Sequence, residues 1–273
     1  MPLLWLKVAV GFYAVGLLWA TAAVSRPCNY LSKIVLPAIG LGMVFHFVSL
    51  AEAAMTTGHL TLALASIHES ESLLAFMILG FFLLVYARYQ TLSPGIFVFP
   101  LVFLLTFASS IGQAPHLFTS KLVRSGWIFA HIALIFTGYA ALFLSFGASI
   151  LYLLQERSLK AKQIAGYLSK LPALEVIDEI GYKSLLLGFP FMTFGLIAGS
   201  VIAQEHFGPM YFLDPKILLS LLMWAVYMVL LYTRWSSGWR GKKAAYLATI
   251  AFVAAVSAWA ANYFSGVHKF VSQ

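Results

Sequence analysis

Trp127–Leu154 reads WIFAHIALIFTGYAALFLSFGASILYLL, with no Asp, Glu, Lys or Arg in the run. A stretch of about 20 apolar residues spans a bilayer as a helix. A run this long without charge is therefore a transmembrane helix and not a core helix of a soluble domain. The rest of the chain agrees: of 273 residues 62% are hydrophobic and 10% charged, and mean hydropathy is +0.91. A soluble domain carries roughly 25% charge. The chain is an integral membrane protein embedded in the lipid bilayer.

Working outward from that run, eight apolar stretches have the length or nearly the length of a span. They are Leu3–Val24, Ile34–Ala54, Ser72–Tyr89, Gly95–Ser110, Trp127–Leu154, Ser184–Gln204, Pro215–Thr233 and Ala244–Phe264. The fourth is the weakest, since Pro94 and Pro100 bracket its start. The first is too long for a signal-peptide core and lacks a basic start, so it is expected to be a retained helix. The expected fold is all-α, a bundle of about eight transmembrane helices forming a single membrane domain over residues 1–273. No internal repeat, low-complexity tract or soluble domain interrupts it.

The net charge of +8 is sorted between alternate loops. Twelve cations fall on one side (Arg26, Lys33, Arg88, Arg157, Lys160, Lys162, Lys170, Lys183, Arg234, Arg240, Lys242 and Lys243) and five on the other (Lys7, Lys121, Arg124, Lys216 and Lys269). By the positive-inside rule the first group is cytoplasmic, both termini face outward, and no nucleic-acid partner is implied. The single Cys28 excludes an internal disulfide framework or dithiol relay. In the connection from Gln155 to Lys183, Leu168, Leu171, Leu174, Ile177 and Ile180 recur at three-residue spacing. This pattern predicts a short amphipathic helix at the inner surface or a connector packed beneath the bundle.

Six of the seven histidines lie on or near the outward side: His59, His68, His116, His131, His206 and His268. Neutral imidazoles converging from two directions suit a metal or haem iron. His131, near the outer start of the fifth span, and His268, just past the eighth, make such a pair. His46 alone lies deep in a helix. It is either a functional intramembrane group or a hydrogen-bonding contact to a neighbouring helix. Between the sixth and seventh spans runs an aromatic, Gly- and Pro-containing interruption, Phe207-Gly208-Pro209-Met210-Tyr211-Phe212-Leu213-Asp214-Pro215-Lys216. Its Asp214-Pro215 has the chemistry of a helix N-cap followed by the first helical residue.

These residues resemble the cytochrome c assembly family, in its CcsA-like and HemX-like branch. The family's outward loop reads W-G-x-x-W-x-W-D followed by P-K. Gly208, Asp214, Pro215 and Lys216 match, while Phe207, Tyr211 and Leu213 stand at the tryptophan positions. Trp127-Ile128-Phe129-Ala130-His131 resembles W-x-x-x-H, with Gly138-Tyr139-Ala140 following. Glu71-Ser72-Leu73-Leu74, Gly188-Phe189-Pro190 with Gly195 and Gly199, Gly238-Trp239-Arg240-Gly241-Lys242-Lys243-Ala244-Ala245, and Gly266-Val267-His268 complete an ordered set over residues 34–268.

The resemblance implies a haem-handling protein of the bacterial cytoplasmic membrane with its haem-facing loops outside. It implies non-covalent haem b on an aromatic platform (Trp127, Phe207, Gly208, Tyr211, Asp214, Lys216), with His131 and His268 as axial ligands. Lys216 or Arg124 would pair with a propionate. The haem would pass to an apocytochrome c bearing C-x-x-C-H, with a CcsB-like membrane partner, as part of a haem lyase or synthetase. Family synthetases carry a further histidine where Tyr232 stands here. The alternative is a non-catalytic HemX-like regulator of haem biosynthesis, or an assembly or structural subunit of a membrane complex.

Overall fold

The computed structural model describes residues 2–25, 29–57, 67–111, 126–162 and 166–260. Among these residues, eight α-helices run in order: α1 (Pro2–Ser25), α2 (Asn29–Thr57), α3 (Ile67–Tyr89), α4 (Gly95–Ile111), α5 (Gly126–Lys160), α6 (Leu174–Phe207), α7 (Pro215–Ser236) and α8 (Lys242–Ala260). Short 3-10 turns occupy Gly166–Lys170 and Pro209–Leu213. Among the described residues, six helices are long and apolar enough to cross a membrane: α1, α2, α3, α5, α6 and α7. The fourth, α4, is a shorter apolar helix of 17 residues. The eighth, α8, opens on Lys242-Lys243 and is not among the six.

Two expected boundaries differ. α5 runs on to Lys160, and α6 begins at Leu174, ten residues before the apolar stretch does. The expected separate amphipathic helix is therefore absent among the described residues. Leu168 lies in the 3-10 turn, and Ile177 and Ile180 are buried residues of α6's own first turns. Polar side chains carry both helices past the apolar segment. Lys160 donates to Glu156 one turn away at 2.6 Å, and Glu175 lies in the first turn of α6, where a negative charge complements the helix dipole.

The chain divides into two compact units, residues 1–117 with 154–173, and residues 118–153 with 174–273. In the first, α1 packs on α2 and α4, and α3 packs on α4. Phe82 and Phe99, both fully buried, meet edge to face at 4.9 Å, and Trp19 meets Phe99 at 5.5 Å. Such pairs add roughly 0.5–1.5 kcal/mol beyond their buried area.

A polar pin joins three helices of this unit. The His46 ring lies 3.2 Å from the Tyr13 hydroxyl through Nδ1 and 2.7 Å from the Ser72 hydroxyl through Nε2. All three side chains are buried. Gly42 makes room for it, because a Cβ there would lie 2.6 Å from Tyr13 Cε1. Both nitrogens of His46 are thus engaged by side chains of neighbouring helices, the contact that one of its two expected roles requires. The unit closes with a strap from later in the chain: Tyr167 donates to the Ser93 carbonyl at 2.9 Å and Gln155 to the Pro172 carbonyl at 3.0 Å. Burial pushes the Tyr167 phenol above its ordinary range, against the effect of its bond to Ser93, so it stays a donor.

The second unit has a core of Leu142, Leu185, Met192, Met223, Tyr227 and Leu230 with Ala244, Ala248, Ala251 and Ala255. The four alanines form one face of α8. Small residues let helix backbones approach closely where lipid offers no hydrophobic drive. The same holds between α5 and α6, where a Cβ at Gly188 would lie 2.6 Å from that of Ala141.

Candidate functional site

His131 stands in the second turn of α5, half-buried against α6. Its Nδ1 is 2.7 Å from the carbonyl oxygen of Gly195. A carbonyl only accepts, so Nδ1 donates, and the neutral ring then carries its lone pair on Nε2. Fixing one nitrogen by a backbone carbonyl is how proteins orient a metal-ligating imidazole. The ring occupies the space of a missing side chain: a Cβ at Gly199 would lie 2.5 Å from Cε1 and 2.7 Å from Nδ1.

The interruption between α6 and α7 folds as a tight, ordered element. Gly208 adopts φ 69°, a conformation that favours glycine, and leads into the 3-10 turn. Tyr211 is buried and its ring lies 4.0 Å from that of Phe212, which is exposed. Asp214 caps α7, its carboxylate accepting from the Lys216 amide at 2.9 Å, with Pro215 first in the helix. Lys216 lies close enough to His131 for its charge to act on the ring, and Asp214 acts on Lys216 in turn. Asp214→Ala should lower unfolding stability by about 1 kcal/mol, the usual worth of an N-cap. Thermal unfolding in detergent would check this; a change within error of zero would remove the capping role.

The structure therefore brings His131, Lys216 and the turn to one end of the second unit. Trp127 lies one helical turn before His131 and is 72% exposed. Phe207 closes α6, but its side chain is not among those described. His268 and Arg124 lie outside the described residues, as do His59 and His116. Tyr232 is 61% exposed on α7, turned away from the core. His46 belongs to the other unit. The backbone partner of His131 was not foreseen from the sequence. The signal was the Gly195–Gly199 pair, two small residues one turn apart on an apolar helix.

A second polar cluster lies in the same unit, where α6 begins, α7 ends and α8 begins. Arg234 donates to both Asp178 carboxylate oxygens, at 3.0 and 2.6 Å, and the Gly241 amide donates to Asp178 at 3.1 Å. The Arg234 guanidinium lies 4.5 Å over the Tyr182 ring.

Fold and site together define a polytopic helical membrane protein that presents one oriented imidazole beside a cation and an aromatic turn. The family model described as "Cytochrome C assembly protein" matches residues 4–265. The chain belongs to the cytochrome c assembly protein family. Its similar relatives include the cytochrome c biogenesis protein CcsA of Chlamydomonas reinhardtii, 33% identical over 48% of this chain and 36% of the relative. That of Prochlorococcus marinus (strain MIT 9312) is 31% identical over 53% of each. That of Trieres chinensis is 26% identical over 88% of this chain and 86% of the relative. In the first two, the chain spans about a third to a half of the relative's length.

Among the described residues no three His, Cys, Asp or Glu side chains converge as a metal cage. Haem needs no such cage, since its porphyrin holds the iron and the protein adds one or two axial ligands. The donor set fits that requirement: one imidazole with Nε2 unprotonated, a lysine nearby, and an aromatic surface beside them.

Proposed function

We propose that this chain holds non-covalent haem b at the outer face of the bacterial cytoplasmic membrane and presents it for attachment to apocytochrome c. His131, through Nε2, and His268 would hold its iron. The observation that carries this reading is the bond from His131 Nδ1 to the Gly195 carbonyl, which leaves the lone pair of the neutral ring on Nε2. When bound, haem supplies an iron with axial positions and vinyl groups to which the thiols of a C-x-x-C-H site add.

The chain's own residues do the positioning. Gly195 orients the imidazole, Lys216 offers a cation to a propionate, and the exposed rings of Phe212, backed by buried Tyr211, and of Trp127 offer flat apolar area at low entropic cost. Arg124 is a second candidate cation. The twelve-to-five sorting of Lys and Arg supports an outward site and outward termini. A CcsB-like membrane partner completes the synthetase in this reading.

Absorption spectra of the purified protein with added haem test the proposal. The wild type should show a Soret band that weakens or shifts in His131→Ala and in His268→Ala. A protein that stays colourless after haem addition overturns it. If haem binds, complementation for covalent cytochrome c distinguishes a synthetase component from a regulator.

A further inference from the structure

We propose that the α7–α8 turn is a binding site for an anionic phospholipid of the leaflet at which α7 ends. The sequence here is Arg234-Trp235-Ser236-Ser237-Gly238-Trp239-Arg240-Gly241-Lys242-Lys243, with Tyr246 one turn into α8.

Four cations gather in this turn, and one is spent internally. Arg234 is bound bidentately by Asp178 and is 9% exposed at its side chain. The same carboxylate takes the Gly241 amide, so Asp178 is engaged by Arg234 and the backbone. Arg240, Lys242 and Lys243 are exposed and have no carboxylate in ion-pair range among the described residues. Three positive charges are thus exposed at the end of an apolar helix.

The rings are arranged to match. Trp235 is 83% exposed and Tyr246 52%, both far above the exposure such residues show in a core. Lys243 Nζ lies 5.5 Å from the Trp239 ring centroid, and Lys242 Nζ lies 5.7 Å from that of Tyr246. Each ammonium is thereby held beside an amphipathic ring, the residue type that resides at headgroup depth. Gly238 (φ 61°) and Gly241 (φ 63°) bend the turn, and the Trp239 amide donates back to the Thr233 carbonyl at 3.2 Å. The loop is held in place before any ligand arrives. Cations fixed at headgroup level beside rings at the acyl boundary have the chemistry to retain a phosphodiester with net negative charge. Phosphatidylglycerol is the simplest such lipid.

Native mass spectrometry of the full chain, equilibrated in detergent with equal phosphatidylglycerol and phosphatidylcholine, reads the preference directly. Each basic residue near an anionic surface contributes roughly fivefold, so the wild type should retain phosphatidylglycerol over phosphatidylcholine by on the order of 100-fold. The exposed-residue variant Arg240→Gln/Lys242→Gln/Lys243→Gln should lose that preference, with an unchanged circular dichroism spectrum. Trp235→Leu/Trp239→Leu should lower retention of both lipids. Equal retention of the two lipids by the wild type, or an unchanged preference in the triple variant, overturns the proposal. So does displacement of the lipid by millimolar glycerol 3-phosphate, which would mark a soluble-phosphate site.

Discussion

Gly199→Ala is expected to release haem as His131→Ala does, with affinity falling at least about tenfold, the worth of one well-made hydrogen bond. The added carbon would lie 2.5 Å from Cε1 of His131, and the two helix backbones are fixed by the close contacts further along the same pair. The imidazole is the part that can move. Moving it breaks the bond from Nδ1 to Gly195, and with it the choice of which nitrogen faces out. Gly188→Ala is the matched control, since its Cβ would meet Ala141 and the Gly138 carbonyl without touching the ring. That variant should lose about 1–3 kcal/mol of stability by overpacking and keep the wild-type Soret band. Titration with haem, followed at the Soret wavelength, compares the two. Wild-type affinity in Gly199→Ala would remove the glycine from the site. Nitrogen-15 spectra of labelled histidine report the His131 tautomer without haem, so this arrangement is tested even if haem does not bind.

The second large effect belongs to Asp178. Its carboxylate is the shared acceptor for Arg234 and the Gly241 amide. Asp178→Ala leaves a guanidinium without its counter-charge and an amide without its acceptor, a change that costs about 3–5 kcal/mol in buried pairs. Asp178→Asn keeps one acceptor and should cost less. The double variant Asp178→Leu/Arg234→Met should recover most of the loss, because apolar replacement of a whole buried pair is often near neutral. Denaturation of the four proteins in one detergent compares these losses directly. A loss below about 1 kcal/mol in Asp178→Ala would show the pair to behave as an exposed one.

The places of the helices were legible because transfer to lipid is scored residue by residue, and long apolar runs carry that signal on their own; that only six of the eight described have the length and apolarity of a span was not. Where the helices stop was less legible. α6 begins at Leu174 because Glu175 sits in its first turn and Asp178 is matched by a residue 56 positions away, and a local window sees only their charge. Likewise His131 and Lys216 could be assigned to one end of the protein from topology, and the structure brings them near each other. The partner of His131 is a backbone carbonyl, which no residue type announces. The glycines that admit the ring were visible as a pair, but their use depends on which helix crosses there. His46 shows the same limit from the other side: its depth was clear, whereas its two hydroxyl partners come from helices 33 and 26 residues distant.

The strap of residues 154–173 has a consequence for biosynthesis. Tyr167 closes on Ser93 and Trp19, yet it is translated after the stretch 118–153 that belongs to the other unit. The first four helices therefore leave the ribosome without the piece that completes them. That piece begins in the last turns of α5 and is made only after the stretch that belongs to the other unit. A chain truncated within α5 would therefore lack the contacts of Tyr167 that finish the first unit.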